Sequence, residues 1–272
     1  MKPAAFEFAR AGSIADATRL LAETTDTARV VAGAQSLGPM LNLRLAQPRL
    51  LIDVTGIPDL TRVEDTADTL TIGACITTAN IEDQCVPLRG LEALPPIAMQ
   101  IAYRAVRNRG TVGGSVCHAD PAADWVSALC ALGAECLIAG PTGGRRMPVE
   151  EFVIGAYETT LASGEILEAI RLPRLSANGR LGFYKVCRKA GEFAFAIGAV
   201  LNDPERGQLR LVIGATGGRP IVIADAHGLR NPDGQLDQEA LARLMEARGI
   251  RSRVDRRQKV AAVERAYKQA TS

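Results

Sequence analysis

The feature that most constrains the fold is the stretch Arg109-Gly-Thr-Val-Gly-Gly-Ser-Val-Cys-His-Ala-Asp-Pro-Ala-Ala-Asp124. Its adjacent glycines, Gly113 and Gly114, follow a basic polar run and precede a helix that Pro121 is predicted to open. A glycine pair permits positive φ and lets a ligand approach bare N–H groups, which together form a concave anion site. A helix start beyond it adds free donors and a positive dipole end. The stretch therefore predicts either a phosphate site or a tight turn between a strand and a helix.

A second stretch, Ala28-Arg-Val-Val-Ala-Gly-Ala-Gln-Ser-Leu-Gly-Pro39, has a related layout. It predicts a strand over 29–32, a turn of small and polar residues, and a helix after Pro39. The spacing matches neither G-x-G-x-x-G nor G-x-x-x-x-G-K-[ST], so neither a Rossmann nor a P-loop site is indicated. Two separate turns rich in free amides suit a ligand with two linked phosphates, such as a dinucleotide.

Short motifs along the chain resemble the FAD-binding medium subunit of the molybdenum hydroxylases, a family that includes the xanthine dehydrogenase and carbon monoxide dehydrogenase flavoproteins. Their order and spacing fit over almost the whole chain. The matching segments are Ala32–Leu37, Arg107–Ser115, Asp120–Asp124, Gly164–Leu167, Gly182–Val186 and Lys189–Phe193.

The resemblance implies FAD as the cofactor and a set of cofactor-binding residues. These are Val31, Ala32, Gly33, Ala34, Gln35, Ser36, Leu37, Ile101, Thr111, Gly113, Gly114, Ser115, Ala119, Asp124, Leu167 and Lys185. It assigns Gly33, Gly113 and Gly114 to the pyrophosphate, where Gln35, Ser36 and Thr111 add donors. It assigns Asp124 to ribose or adenine, and Ile101 and Leu167 to the adenine end. It places the Lys185 ammonium near the flavin, where a cation stabilises the anionic reduced ring.

Each assignment has a structural alternative that the residues alone leave open. Asp124 also suits the first turn of a helix, Ile101 suits core packing and Lys185 suits a surface strand. Two positions depart from the family. Ala34 replaces the usual glycine and is tolerated only if its φ stays negative, and Ser115 replaces a common asparagine with a shorter donor.

The fold class expected from the resemblance is α+β with α/β-like parts. Two small FAD-binding subdomains, 1–55 and 56–175, precede a C-terminal domain, 180–272, that reads as a small sheet with helices on one face. By family analogy FAD extends between the first two units, and the third closes over the ring end.

Composition excludes several other classes of protein. A net charge of +2 over 272 residues argues against nucleic acid and anionic membranes as partners. No apolar run reaches membrane-spanning length and no signal pattern opens the chain, so a cytoplasmic location is expected. The six cysteines include no C-x-x-C pair, which predicts reduced, mostly buried thiols and no metal site. His118, without a second ligand or a nucleophile nearby, is expected to hydrogen-bond within its loop.

The resemblance implies an electron-transfer subunit of an oxidoreductase. A large molybdopterin-binding subunit hydroxylates the substrate, a small subunit carries [2Fe–2S] clusters, and this chain's FAD passes electrons to an external acceptor, in a dimer of heterotrimers. No residue of this chain is expected to touch the organic substrate. A stand-alone FAD-dependent oxidoreductase and a non-catalytic nucleotide-binding module remain alternatives, and the substrate and the acceptor stay open.

Overall fold

A computed structural model of the chain describes residues 2–24 and 27–272. The first part contains a three-stranded parallel sheet in the order β1-β3-β2. Helix α1 connects β1 to β2 and packs its apolar side against the sheet. The elements are β1 Glu7–Arg10, α1 Ile14–Thr24, β2 Ala28–Val31, α2 Leu37–Asn42 and β3 Leu50–Asp53.

The middle part contains a five-stranded antiparallel sheet in the order β4-β5-β10-β6-β7, with helices α3 to α7 between β5 and β6 and α8 after β7. A small two-stranded sheet, β8-β9, stands apart from it. The strands are β4 Val63–Asp65, β5 Thr69–Gly73, β6 Glu135–Gly140, β7 Gly143–Pro148, β8 Val153–Gly155, β9 Glu158–Thr159 and β10 Ile166–Pro173. The helices are α3 Thr78–Glu82, α4 Leu94–Met99, α5 Arg104–Arg107, α6 Val112–His118, α7 Asp124–Leu132 and α8 Val149–Phe152.

The last part contains a four-stranded antiparallel sheet in the order β11-β12-β13-β14, followed by two helices. The elements are β11 Arg180–Val186, β12 Ala196–Asp203, β13 Gln208–Gly214, β14 Ile221–Ile223, α9 Gln238–Ala247 and α10 Arg253–Thr271. Short 3-10 turns lie at Pro58–Thr61, Pro204–Arg206 and His227–Leu229.

This four-stranded sheet is covered on both faces. On one face α10 packs so closely that a Cβ added at Gly182 would lie 1.9 Å from the Ala266 carbonyl oxygen. On the other face Lys185, Ile197 and Gly214 form one row across β11, β12 and β13, and this row lies under α7. The helices of the last part therefore lie on one face of its sheet, as expected, and α7 of the middle part covers the other face. Burial on both faces explains why β12 is almost continuously apolar.

The hydrophobic cores cross the boundaries expected from the sequence. Ile166 and Cys75 of the middle part pack in the core of the first sheet. Phe183 and Ile197 of the last part pack in the core of the middle part, beneath α7. The three parts therefore share buried surface, and their relative positions are set by packing.

Candidate functional site

The site is built around two loops that lie against each other. The first loop comprises residues 32–37 and the second loop residues 109–115. A Cβ added at Gly33 would lie 2.0 Å from the carbonyl oxygen of Arg109 and 2.8 Å from the Cα of Gly110. Only glycine permits this approach of two backbones. The loops that the sequence assigns to one ligand are thus neighbours.

The first loop presents unused backbone donors. The N–H groups of residues 33–37 find no hydrogen-bond acceptor within the described parts of the chain. The amide side chain of Gln35 bends back to donate to the Gly33 carbonyl at 2.7 Å, and the Ser36 hydroxyl caps nothing in α2. Gln35 and Ser36 are exposed and Leu37 opens α2, so water can satisfy these donors, and the same five N–H groups suit an external acceptor such as a phosphate.

The left-handed residue of the first loop is Ala34, with φ of 58°. The expectation that its φ stays negative is therefore wrong. A left-handed conformation costs a non-glycine residue about 1–2 kcal/mol. The bend directs the Ala34 carbonyl to accept the Gly38 N–H at 2.8 Å, which begins α2, so this helix starts before Pro39 rather than after it.

The second loop differs from its prediction. Gly113 and Gly114 lie in the first turn of α6, and not in a turn between a strand and a helix. Their N–H groups are already paired, the first with the Ala74 carbonyl at 3.1 Å and the second with the Oγ1 of Thr111 at 3.0 Å. A Cβ added at Gly113 would lie 2.5 Å from the Cβ of Ala74. Gly113 thus serves close packing, and the expectation of bare amides at this glycine pair is wrong.

The helix expected from Pro121 begins three residues later, at Asp124. Ala119 ends α6 in the left-handed conformation, with φ of 51°. The Asp120 carboxylate then accepts the Ala122 N–H at 2.9 Å, which holds the next residues in a turn. This turn places Asp124 at the first position of α7.

Asp124 and Lys185 form a buried pair 61 residues apart in the chain. The Lys185 Nζ lies 3.0 Å from both carboxylate oxygens of Asp124 and donates to Oδ2. It also donates to the Gln100 carbonyl at 3.0 Å. The exposed fractions of the two side chains are 2% for Lys185 and 8% for Asp124, so Lys185 is not a surface residue. We call Gln100, Asp124 and Lys185 the ion-pair cluster.

The Asp124 carboxylate keeps one acceptor unused. Burial raises its pKa to about 6, and the Lys185 ammonium acts in the opposite direction. Although Nζ is near both oxygens, Oδ1 receives no hydrogen bond from the described residues, and neither does the Oγ of Ser127 one turn later. A buried acceptor without a donor indicates a missing partner, such as a ligand hydroxyl or N–H group.

The ion-pair cluster joins residues that the resemblance assigns to different ligand ends. The resemblance assigns Asp124 and Ile101 to the adenine end and Lys185 to the flavin end. In the structure the Lys185 ammonium contacts both Asp124 and the residue before Ile101. Contacts of 3.0 Å bring Asp124, Lys185 and the Gln100 carbonyl to a single point.

The remaining predicted residues surround these two regions. Val31 ends β2 before the first loop, Ser115 lies half-buried in α6, and Leu167 is a core residue of β10. Sequence reasoning missed Gln100, which contributes only its carbonyl, and Arg107, whose buried side chain contacts Glu82. The only signal for Arg107 was its position in a family motif.

His118 ends α6 with its ring centroid 5.1 Å from that of Tyr157. Burial lowers its pKa, so the neutral imidazole is favoured at neutral pH. The expected hydrogen bond within its loop is not among the contacts of the described residues. Within 2–24 and 27–272, no group of three or more His, Cys, Asp or Glu side chains could hold a metal ion. In the same ranges no helix has the length and apolar character needed to cross a bilayer.

Comparison with known proteins gives the family. Residues 4–175 match the family described as the FAD binding domain in molybdopterin dehydrogenase. The chain is 32% identical to the nicotine 6-hydroxylase medium subunit of Paenarthrobacter nicotinovorans, over 85% of this chain and 82% of that protein. It is 35% identical to the carbon monoxide dehydrogenase medium chain of Hydrogenophaga pseudoflava, over 74% of this chain and 70% of that protein.

A solved structure of carbon monoxide dehydrogenase from Hydrogenophaga pseudoflava superposes with a TM-score of 0.91 at 29% identity, covering 100% of this chain and 99% of that one. Quinoline 2-oxidoreductase from Pseudomonas putida 86 superposes with a TM-score of 0.87 at 28% identity, covering 99% and 98%. The relatives are dehydrogenases and hydroxylases, and several are named as medium subunits of such complexes. The chain therefore belongs to the family of FAD-binding medium subunits of molybdenum hydroxylase-type oxidoreductases.

Proposed function

We propose that this chain binds FAD at the junction of its two loops and transfers electrons within a heteromeric molybdenum hydroxylase. The observation that carries the proposal is the run of five N–H donors at residues 33–37, which have no acceptor among the described residues and are packed against the second loop. The diphosphate of FAD is an acceptor of the right charge for such a run. When bound, FAD supplies the redox chemistry, and the protein binds it, orients it and sets its potential.

In this proposal the N–H groups of the second-loop glycines do not bind the phosphates. Because the Gly113 and Gly114 N–H groups have internal partners, the first loop supplies the backbone donors to the phosphates. The second loop contributes its shape, since the Arg109 and Gly110 backbone forms the surface on which Gly33 rests. The exposed Gly114 has no side chain to obstruct a ligand there.

The ion-pair cluster serves the flavin end in this proposal, together with Ile101, while Leu167 keeps the adenine-end assignment that the resemblance gives it. The unused Oδ1 of Asp124 accepts a hydrogen from the ribityl or ring portion. The Lys185 ammonium is the cation that this proposal places near the ring, where it favours the anionic reduced form, and its bond to Asp124 holds it in position. The pair is held in low-dielectric surroundings, where its charges act strongly on a neighbouring group.

We further propose that electrons reach this chain from [2Fe–2S] clusters of a small subunit and originate at a molybdopterin centre on a large subunit. The support comes from the relatives: several are medium subunits, and the superposed dehydrogenase was solved in a form that lacks the Mo-pyranopterin moiety of its molybdenum cofactor. The assembly proposed is a dimer of such heterotrimers. The six cysteine thiols are free, which suits a reducing compartment, so the proposed location is the cytoplasm.

The first experiment is an absorbance spectrum of the purified chain after incubation with FAD and removal of free ligand. We expect flavin bands near ~450 nm and one FAD for each chain. A protein that stays colourless at high FAD concentration contradicts the proposal. Co-purification from the native host, with analysis of molybdenum and iron, tests the partners separately from the cofactor.

The second experiment assigns the two ends of the ligand. FMN contains the ring and one phosphate, whereas ADP contains the adenine and the diphosphate. If the ion-pair cluster serves the flavin end, Asp124→Asn weakens FMN binding about tenfold and leaves ADP binding unchanged, as expected for loss of a charged acceptor. Weaker ADP binding with unchanged FMN binding would return Asp124 to the adenine end.

A further inference from the structure

Arg107 is a buried arginine that uses its whole guanidinium group within the protein. Its Nε and Nη2 donate to the two carboxylate oxygens of Glu82 at 2.7 and 2.8 Å. Its Nη1 donates to the carbonyls of Ile101 and Ala102 at 3.0 and 3.1 Å. The Arg107 side chain is 9% exposed, and that of Glu82 is 12% exposed. Such a two-pronged contact has both high strength and fixed geometry.

Two cations therefore hold three consecutive carbonyls. Lys185 binds the carbonyl of Gln100, and Arg107 binds the next two. The segment 100–102 is irregular, and Ala102 lies in the left-handed region with φ of 45°. This conformation is unfavourable for a non-glycine residue, so the surrounding contacts must enforce it.

The hairpin loop between β11 and β12 docks on this segment. Gly191 bridges Ile101 and has φ of 85°, and a Cβ added to it would lie 2.7 Å from the Ala102 carbonyl oxygen. The orientation of that carbonyl, which Arg107 determines, therefore decides whether the hairpin loop can approach. The exposed Phe193 lies two residues further along this loop.

Glu82 connects the same contact to the second loop. It ends α3, whose first residue, Thr78, donates its N–H to the Gly110 carbonyl at 2.8 Å. Thr77, which caps α3, bridges Thr111 of the second loop. The start of α3 therefore contacts the second loop, and the end of α3 contacts Arg107.

We propose that Arg107, held by Glu82, is a positioning residue for flavin binding: it fixes the segment 100–102 and, through it, the hairpin loop 187–195. The inference rests on the proposed function, because Ile101 and the ion-pair cluster belong to the flavin end. Arg107 makes no contact with the cofactor in this role. Its guanidinium acts through the Ile101 and Ala102 carbonyls.

The test compares Arg107→Lys with Arg104→Lys. Arg104 lies one turn away and pairs with Glu82 and Asp83, but its side chain is 48% exposed and it binds no carbonyl of the segment. Lysine keeps the positive charge but lacks the planar guanidinium group that contacts both carboxylate oxygens of Glu82. We expect hydrogen exchange in the flavin-free protein to become about tenfold faster in peptides covering 98–103 and 188–193 of Arg107→Lys, and to stay unchanged in Arg104→Lys.

Flavin binding gives the second measurement. We expect Arg107→Lys to weaken FMN binding about tenfold and to leave ADP binding unchanged, with Arg104→Lys like the parent chain. Glu82→Gln keeps one oxygen acceptor for the Arg107 guanidinium, so it should weaken FMN binding less and also leave ADP binding unchanged. It replaces Arg107→Lys as the test if that variant does not fold.

The outcomes separate the two proposals. Local exchange changes in a protein whose unsubstituted form binds no flavin would support the positioning of 100–102 and contradict the proposed function. Equal exchange in the two arginine variants would overturn the inference. Uniformly faster exchange over the whole chain, or unchanged FMN affinity despite local exchange, would overturn it as well.

Discussion

The two regions of the site differ in the groups that form them. The loop region consists of backbone: five N–H groups of the first loop, without acceptors in the described chain, rest against the backbone of the second loop. The ion-pair cluster consists of side chains from separate elements, joined in a buried contact of 3.0 Å. The first kind of site depends on close approach and φ angles, and the second depends on desolvated charge. The two regions should therefore fail in different ways.

The largest expected effect is in the ion-pair cluster. Lys185→Met leaves the Asp124 carboxylate buried without its cation, and removal of one partner of a buried pair costs about 3–5 kcal/mol. We expect this loss in the free energy of unfolding at pH 8, measured by urea denaturation, and a smaller loss at pH 5, where Asp124 binds a proton. The double variant Lys185→Met with Asp124→Asn should recover most of the loss. No recovery would mean that packing, and not charge, dominates this cluster.

The next effect is in the loop region. Gly33→Ala places a Cβ 2.0 Å from the Arg109 carbonyl oxygen and forces the two loops apart. We expect a loss of about 2–3 kcal/mol in the free energy of unfolding and a much larger proportional loss in FAD affinity. Gly38→Ala is the matched control, because its Cβ would meet only the Ala34 Cβ, at 4.0 Å. Equal FAD affinity in the two variants would show that the junction of the two loops does not contribute to FAD binding.

A pH series distinguishes the regions further, since only the ion-pair cluster titrates. The folded-state pKa of Asp124, about 6, exceeds its ordinary value of 3.8, so the folded protein holds this proton more tightly. Protonated Asp124 therefore stabilises the folded state fully below about pH 4, and this contribution to the free energy of unfolding is lost as the pH rises through about 6. Asp124→Asn should remove this dependence, which is on the order of 3 kcal/mol. A stability difference from the parent chain that stays constant from pH 4 to pH 7 would contradict the raised pKa.

A smaller effect tests whether the second loop donates its amides to a ligand. Thr111→Val removes the oxygen that accepts the Gly114 N–H, and loss of such a cap costs about 1 kcal/mol. Because this amide is engaged within the protein, we expect a lower free energy of unfolding with unchanged FAD affinity. Thr111→Ser should restore the stability. A clear change in FAD affinity at constant stability would show that the Gly114 amide or the Thr111 hydroxyl binds the cofactor.

The smallest effect concerns Ala34. Glycine adopts its φ of 58° without strain, but it is also more flexible in the unfolded chain, and these contributions partly cancel. We expect Ala34→Gly to raise the free energy of unfolding by about 0.5 kcal/mol and to leave FAD affinity within a factor of two. A destabilised variant would mean that the Ala34 methyl group contributes packing.

The sequence predicts the loop region better than the ion-pair cluster for a physical reason. Glycines and small residues in a short run restrict local backbone geometry, so Gly33 and Gly113 identify both loops. The structure adds features that the sequence did not show: Gly33 and Gly113 permit close packing, and Ala34 takes the left-handed conformation. Which neighbour a glycine touches depends on other elements, and no local pattern contains that information.

The family, the fold class and the positions of the two loops follow from the sequence by itself, because they depend on short motifs. Only the tertiary structure decided which backbone donors stay free, why Lys185 is buried against Asp124, and why α7 covers the second face of the last sheet. These features join residues that are far apart in the chain, and their energies come from desolvation and close packing. Such energies exist only once the chain has folded.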